Sequence, residues 1–188
     1  MKTRAVTLEE QGPPSVMSLE TVDIGQPGPN EVQIEQNIIG FNYMDIYQRS
    51  GLYPLDLPSG IGLEAAGIIH AVGENVTEFK EGDRAAYATA PQGAYAEYRN
   101  FPASRVVHLP DNISDEQCAA TLFKGMTVEY LLNRCYDTKK DEKVLYIVTS
   151  KHSSFVKENF FNEFKLIEKF EGFNYSQGKK VEINFFEN

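Results

Sequence analysis

The sequence predicts a mainly β fold with some α, arranged first as a barrel or sandwich and then as a short β-α-β tail. Three observations carry that expectation. Short alternating or apolar runs recur between turn signals through residues 1–136. Their length and spacing argue for a barrel or sandwich over βαβ repeats. The composition then changes abruptly, and the last 52 residues read as strand, helix, strand.

The expected elements follow in chain order. Residues 4–8 form a strand, and residues 31–39 a second. In the second, Val32, Ile34 and Gln36 share one face, with Gln33, Glu35 and Asn37 on the other. Residues 42–49 make one or two helical turns. Strands are expected at 65–72, 84–87 and 94–99, punctuated by turns at 27–29, 73–75 and 81–83. Asp111 or Ser114 caps a helix running to Leu132, with Cys118, Leu122, Met126 and Leu131 on or near its buried side. In the tail, residues 143–149 read as a buried strand. Ser153 and Ser154 cap a helix with Val156, Phe160, Phe164 and Ile167 as an apolar stripe and Glu171 at the same spacing. Val181, Ile183 and Phe185 alternate as a last strand.

Charge and composition exclude several functions. The 188 residues hold 18 basic and 27 acidic side chains, a net charge of -9. Such a surface repels phosphate backbones, so no nucleic-acid partner is expected. No apolar run reaches the roughly 18 residues of a membrane span, and the N-terminus turns acidic by Glu9, unlike a signal peptide. Cys118 and Cys135 build no disulfide framework and fit a reduced cytoplasm. The charge is uneven. Residues 1–136 carry 9 basic and 18 acidic residues, and residues 137–188 carry 9 of each. All nine prolines precede Asp111, whereas 8 of the 12 phenylalanines lie in the tail. Two domains are therefore expected, 1–136 and 137–188.

Two stretches carry candidate chemistry. Residues 40–54 set Asn42 and Asp45 among Tyr43, Tyr47 and Tyr53 just after a strand. A carboxamide there suits an amide ligand and tyrosines suit a flat ring; the plainer reading is a capped turn with core tyrosines. Residues 58–67 place Glu64 in an apolar, glycine-rich run where an unpaired carboxylate is expensive. Arg49 is one candidate partner. This run is not a dinucleotide fingerprint, because Ala65 breaks the required glycine spacing.

Taken together, Gly40-Phe41-Asn42-Tyr43-Met44-Asp45, Arg49-Ser50-Gly51-Leu52-Tyr53-Pro54, Gly62-Leu63-Glu64-Ala65-Ala66-Gly67, Gly82-Asp83-Arg84, Gly93-Ala94-Tyr95-Ala96-Glu97-Tyr98 and Lys124-Gly125-Met126-Thr127-Val128 form a specific set. Over residues 1–145 the chain resembles the N-terminal catalytic domain of the medium-chain dehydrogenase/reductase superfamily, in its zinc-independent quinone oxidoreductase (zeta-crystallin-like) branch. The resemblance implies a GroES-like, partly open β-barrel. It implies hydride transfer from NADPH to a small quinone or enone, and leaves a homodimer open. Asn42, Tyr43, Met44, Asp45, Ile46 and Thr127 would contact the nicotinamide end, with Lys124 near the same place. Tyr47 and Tyr53 would line the substrate cleft. No metal is expected, because Asn42 and Leu63 stand where zinc-dependent relatives carry Cys and His.

The pattern also departs from the family. Residues 149–154, Thr-Ser-Lys-His-Ser-Ser, contain none of the glycines that let a backbone approach pyrophosphate. A full nucleotide-binding Rossmann domain is therefore expected to be absent, and the chain to be a truncated relative with impaired activity. The alternative is an inactive binding or assembly module, or a gene remnant.

Overall fold

A computed structural model describes residues 1–135, 144–149, 165–174 and 179–187. In chain order these form β1 (Lys2–Leu8), β2 (Met17–Asp23), β3 (Glu31–Gly40), α1 (Tyr43–Ser50), β4 (Ser59–Gly60), β5 (Glu64–Val72), β6 (Arg84–Ala88), β7 (Tyr98–Pro102), β8 (Val107–His108) and α2 (Asp115–Tyr130). Then come β9 (Val144–Thr149), β10 (Lys165–Asn174) and β11 (Lys179–Glu187). The chain divides into two compact units, Met1–Val128 and Glu129–Asn188.

The first unit is mainly β with some α, in two sheets that do not close into a barrel. One sheet has the order β2-β1-β4 and the other β7-β3-β5-β6-β8. Their meeting point is a single bridge, Ala5 with Ala96. Two bonds flank it, Val6 N–H to the Tyr95 carbonyl at 2.8 Å and Glu97 N–H to the Arg4 carbonyl at 3.0 Å. Expected strands 4–8, 31–39, 65–72 and 84–87 all form. The strand expected at 94–99 starts later, at Tyr98, because residues 94–97 serve that bridge and only Tyr98 onward joins the ladder to β3.

The alternation expected along β3 is broken by two register shifts, one between Gln33 and Ile34 and one between Gln36 and Ile38. Val32, Gln33 and Ile34 are consequently all buried. The Gln33 amide is satisfied inside, donating to Asn100 Oδ1 at 2.8 Å and to the Gly25 carbonyl at 3.2 Å. Val32, Ile34, Ala65, Ile69, Ala85, Tyr87 and Phe101 build the main core. A second cluster sets Cys118 and Ala119 of α2 on Ala66, Ala86 and Leu109. Glycines permit both approaches. A Cβ on Gly67 would run into the Glu35 carbonyl of β3, and one on Gly40 would strike the Ala119 carbonyl of α2 and the Glu64 carboxylate.

Arg99 of β7 is buried with no carboxylate among its recorded partners. Its guanidinium lies over the Phe101 and Tyr87 rings, 4.6 and 5.1 Å from their centroids. It donates to the Pro91 and Gln92 carbonyls at 3.2 and 3.0 Å and to the Tyr87 hydroxyl at 3.2 Å. A delocalised, weakly hydrated cation suits that setting.

For α2 the cap is Ser114, not Asp111: Ser114 Oγ accepts from Gln117 N–H at 3.2 Å, and Gln117 Oε1 accepts from Ser114 N–H at 3.0 Å. Cys118 is buried as expected and Leu122 half-buried, but Met126 is 53% exposed. The helix lies on the sheet only through its first half, and ends in a π turn at Leu131–Cys135.

The tail differs from the β-α-β expectation. β9, β10 and β11 form one antiparallel sheet in the order β10-β11-β9. Ile167 and Glu171, expected on a helix, lie in β10. The rest of that expected helix, from Ser153 to Phe164, lies outside the described residues. A stripe of Phe and Ile carries apolar periodicity for either structure, and pairing with β11 decides for strand. Among the described residues every ladder is antiparallel, so the parallel sheet of a nucleotide-binding fold is not seen there.

Candidate functional site

The site grows from the point where β3 stops and α1 starts. Asn42 is the N-cap of α1 with extended backbone, φ -132° and ψ 149°, and Asp45 occupies the third helical position. Asp45 Oδ2 accepts from the Asn42 N–H at 2.9 Å and so fills one of the four orphan amides of the helix start. The helix ends at Gly51, whose φ of 87° is the left-handed geometry glycine supplies. The expected one or two turns at 42–49 are therefore present.

The Asn42 side chain is turned to other partners. Its Nδ2 donates to Glu64 Oε2 at 2.8 Å. Its Oδ1 accepts from Lys124 Nζ at 2.9 Å. Glu64, fully buried at 0% exposure, also accepts the Phe123 N–H at 2.7 Å through Oε1, and its Oε2 lies 4.0 Å from Lys124 Nζ. The expected Arg49–Glu64 pairing is a miss. Arg49 Nη1 donates to the Gly12 carbonyl instead. The buried carboxylate is matched by an amide, a backbone N–H and a cation across 59 and 60 residues of sequence, which no local spacing reveals.

A second link runs through Asp45. Tyr95 donates its hydroxyl to Asp45 Oδ2 at 3.0 Å. Burial pushes the Asp45 carboxyl above its ordinary value, and the nearby Glu64 charge adds to that; the Asn42 N–H, Tyr95 hydroxyl and Lys124 ammonium pull the other way. Burial, then the Asp45 charge and its hydrogen bond, raise the Tyr95 phenol. Asp45 Oδ1 and Gln48 Oε1, three residues apart on α1, are buried without a recorded hydrogen-bond partner.

The tyrosines expected near a flat ring stand in a row. Tyr43 and Tyr47 have centroids 6.2 Å apart, Tyr47 and Tyr53 5.7 Å apart. Tyr43 is 71% exposed, and Tyr47 and Tyr53 are half-buried. Gln11 holds the far end by donating to the Tyr53 carbonyl at 2.7 Å and to the Gln48 carbonyl. Met44 and Ile46 are half-buried on the same helix. Thr127 is exposed, and its recorded bond runs along its own helix to the Phe123 carbonyl at 3.3 Å. Lys124, more than half exposed, lines a groove of about 370 Å³ with Ile39, Phe41 and Glu116.

The structure thus brings Asn42, Asp45 and Lys124 into one network and Tyr43, Tyr47 and Tyr53 into one wall. Thr127 is tied to neither by a recorded contact. Sequence reasoning missed Tyr95 and Gln48 as members, because neither sits in a spacing that reports on Asp45. The exposed Lys124 ammonium and Tyr43 face, beside the buried Asn42 carboxamide, suit a planar ring bearing an amide, which offers both a donor and an acceptor. The residues present therefore fit a nicotinamide ring. Among the described residues no cluster of three or more His, Cys, Asp or Glu suits a metal ion. No described helix is long and apolar enough to cross a membrane.

Comparison with known proteins adds the following. Residues 28–111 match the family model of the alcohol dehydrogenase GroES-like domain. The chain is 48% identical over 136 residues to a quinone oxidoreductase of Pseudomonas aeruginosa, covering 72% of this chain and 42% of that protein. It is 45% identical over 147 residues to quinone oxidoreductase 1 of Escherichia coli, covering 78% and 45%. The solved structure of Escherichia coli quinone oxidoreductase complexed with NADPH superposes with a TM-score of 0.71 at 44% identity, over 74% of this chain and 43% of that one. The chain spans less than half the length of these relatives.

Proposed function

Since residues 28–111 belong to the alcohol dehydrogenase GroES-like domain family, in a chain whose N-terminal part is homologous to quinone oxidoreductases, we propose that this chain supplies the ring-holding part of an NADPH-dependent, zinc-independent quinone reductase. The carrying observation is the Asn42 carboxamide, fixed between buried Glu64 and exposed Lys124 at the head of the helix that bears Tyr43 and Tyr47.

In this reading NADPH supplies hydride to a quinone or enone. Asn42 and Lys124 orient the nicotinamide amide, and Tyr43, Met44, Asp45, Ile46 and Thr127 complete its surroundings. Tyr47 and Tyr53 wall the acceptor. Orienting a hydride donor and its acceptor would lower the barrier. In this reading the quinone takes its proton from water; Asp45, the carboxyl nearest Asn42 on α1, is buried at 2% exposure. The reading keeps residues 1–136 as the reductase part and 137–188 as a separate tail, in a cytoplasmic setting.

The test is a fluorescence titration with NADPH, followed by NADPH oxidation with para-benzoquinone. Saturable binding and quinone-dependent oxidation are expected. Asn42→Ala and Thr127→Ala should each weaken binding by about tenfold, the loss of one good hydrogen bond. Absence of saturable binding overturns the reading; equal affinity in parent and both variants overturns the residue assignment.

A further inference from the structure

The Glu64 carboxylate makes two bonds that converge on Lys124. Oε2 takes the Asn42 Nδ2 donor, which leaves Oδ1 as the outward end of that carboxamide, and Oδ1 holds the ammonium at 2.9 Å. Oε1 takes the N–H of Phe123, the residue just before Lys124, at 2.7 Å. Both the tip of the lysine and the backbone beside it are therefore fastened to one buried anion. Gly40 makes this possible, since any side chain there would displace the carboxylate. An alternative orientation of Asn42 would set its amide nitrogen against the ammonium, two donors face to face.

We propose that Glu64 is a positioning residue which, through Asn42 and Phe123, presents the Lys124 ammonium to the ligand as an oriented hydrogen-bond donor. The claim rests on the reductase reading for its ligand, but its geometry does not. A lysine on an exposed helix face samples many rotamers; this one has its aim set from inside. The remaining ammonium protons then meet an oxygen of the bound amide or of the acceptor. In Glu64→Gln, one nitrogen replaces one acceptor. If the glutamine oxygen keeps Phe123, its nitrogen confronts Asn42 Nδ2, the carboxamide turns over and Lys124 is released. If the glutamine turns instead, the Phe123 bond is lost.

Lys124 is read directly by its rate of acetylation with succinimidyl acetate, measured by peptide mass spectrometry on unliganded full chain, with exposed Lys80 as internal reference. Glu64→Gln and Asn42→Ala are each expected to raise the Lys124 rate about threefold relative to Lys80, by freeing a charge-assisted bond. NADPH affinity should fall equally in Glu64→Gln and Lys124→Met, and no further in the double variant. An unchanged Lys124-to-Lys80 ratio in both first variants overturns the proposal, as do affinity losses that multiply in the double variant. If Lys80 also accelerates in Glu64→Gln, that variant has unfolded and Asn42→Ala decides. If the parent binds no NADPH, the reductase reading fails while the acetylation ratio still judges Glu64.

Discussion

At the residue scale Asp45 is buried but only half satisfied. One oxygen accepts two hydrogen bonds and the other accepts none, beside a Gln48 oxygen that also lacks a donor. Its raised carboxyl value means that the folded state favours the proton. The stability it contributes is complete below the ordinary carboxylate range and is lost as pH rises through the folded value. Asp45→Asn keeps an oxygen for Asn42 and Tyr95, removes the charge, and offers an N–H in place of the orphan oxygen. We expect a higher urea midpoint than the parent at pH 8, with a smaller gain at pH 4; equal gains at both would show that charge is not the cause. Asn42, Asp45 and the tyrosines are legible in the sequence because they are close neighbours in and around α1, between residues 42 and 53. Their partners Glu64, Tyr95 and Lys124 lie 22, 50 and 82 residues away from the group each one holds, and only folding reveals such pairings.

Elements are held by similar long reaches. Arg84 of β6 fastens the lead-in to α2, donating to the Pro110 carbonyl at 3.0 Å, the Ile113 carbonyl at 2.8 Å and Asp115 Oδ1 at 2.6 Å. Arg84→Gln should lower unfolding free energy by about 1–3 kcal/mol, the range for bonds to charged groups and for leaving carbonyls unpaired. Urea denaturation checks it, and a loss within error would mean the helix docks through Cys118 and Ala119 alone. Gly82-Asp83-Arg84 was readable as a turn, but not as an anchor. Strands with a regular apolar run and flanking turns, such as β5, were legible. β2 was not read because nearly every residue is exposed, and its strand character comes from pairing with β1. The sequence of β10 is ambiguous because its aromatic spacing fits two periods, and pairing with β11 decides between them.

For the whole molecule, mainly β architecture is legible in the short runs that recur between turn signals. How far two sheets close is set by where ladders end, a property no single segment carries. The acid response should follow from the same layout. Burial opposes ionisation of Asp115, yet bonds from Asn37 and Arg84 outweigh it and hold its carboxyl below the usual range. That contribution is present above the ordinary carboxylate value and fades as pH falls through the lowered one. Amide hydrogen exchange at successively lower pH should show the first turn of α2 losing protection before β3 and β7. Simultaneous loss would contradict this order.

The buried guanidinium of Arg99 explains why edge strand β7 should hold. Its clasps are two peptide oxygens, a phenol and two ring faces, none of which acid neutralises on the way down. The fold therefore owns a rivet that vinegar does not loosen, and a souring solution should peel the molecule from its helical flap toward that rivet.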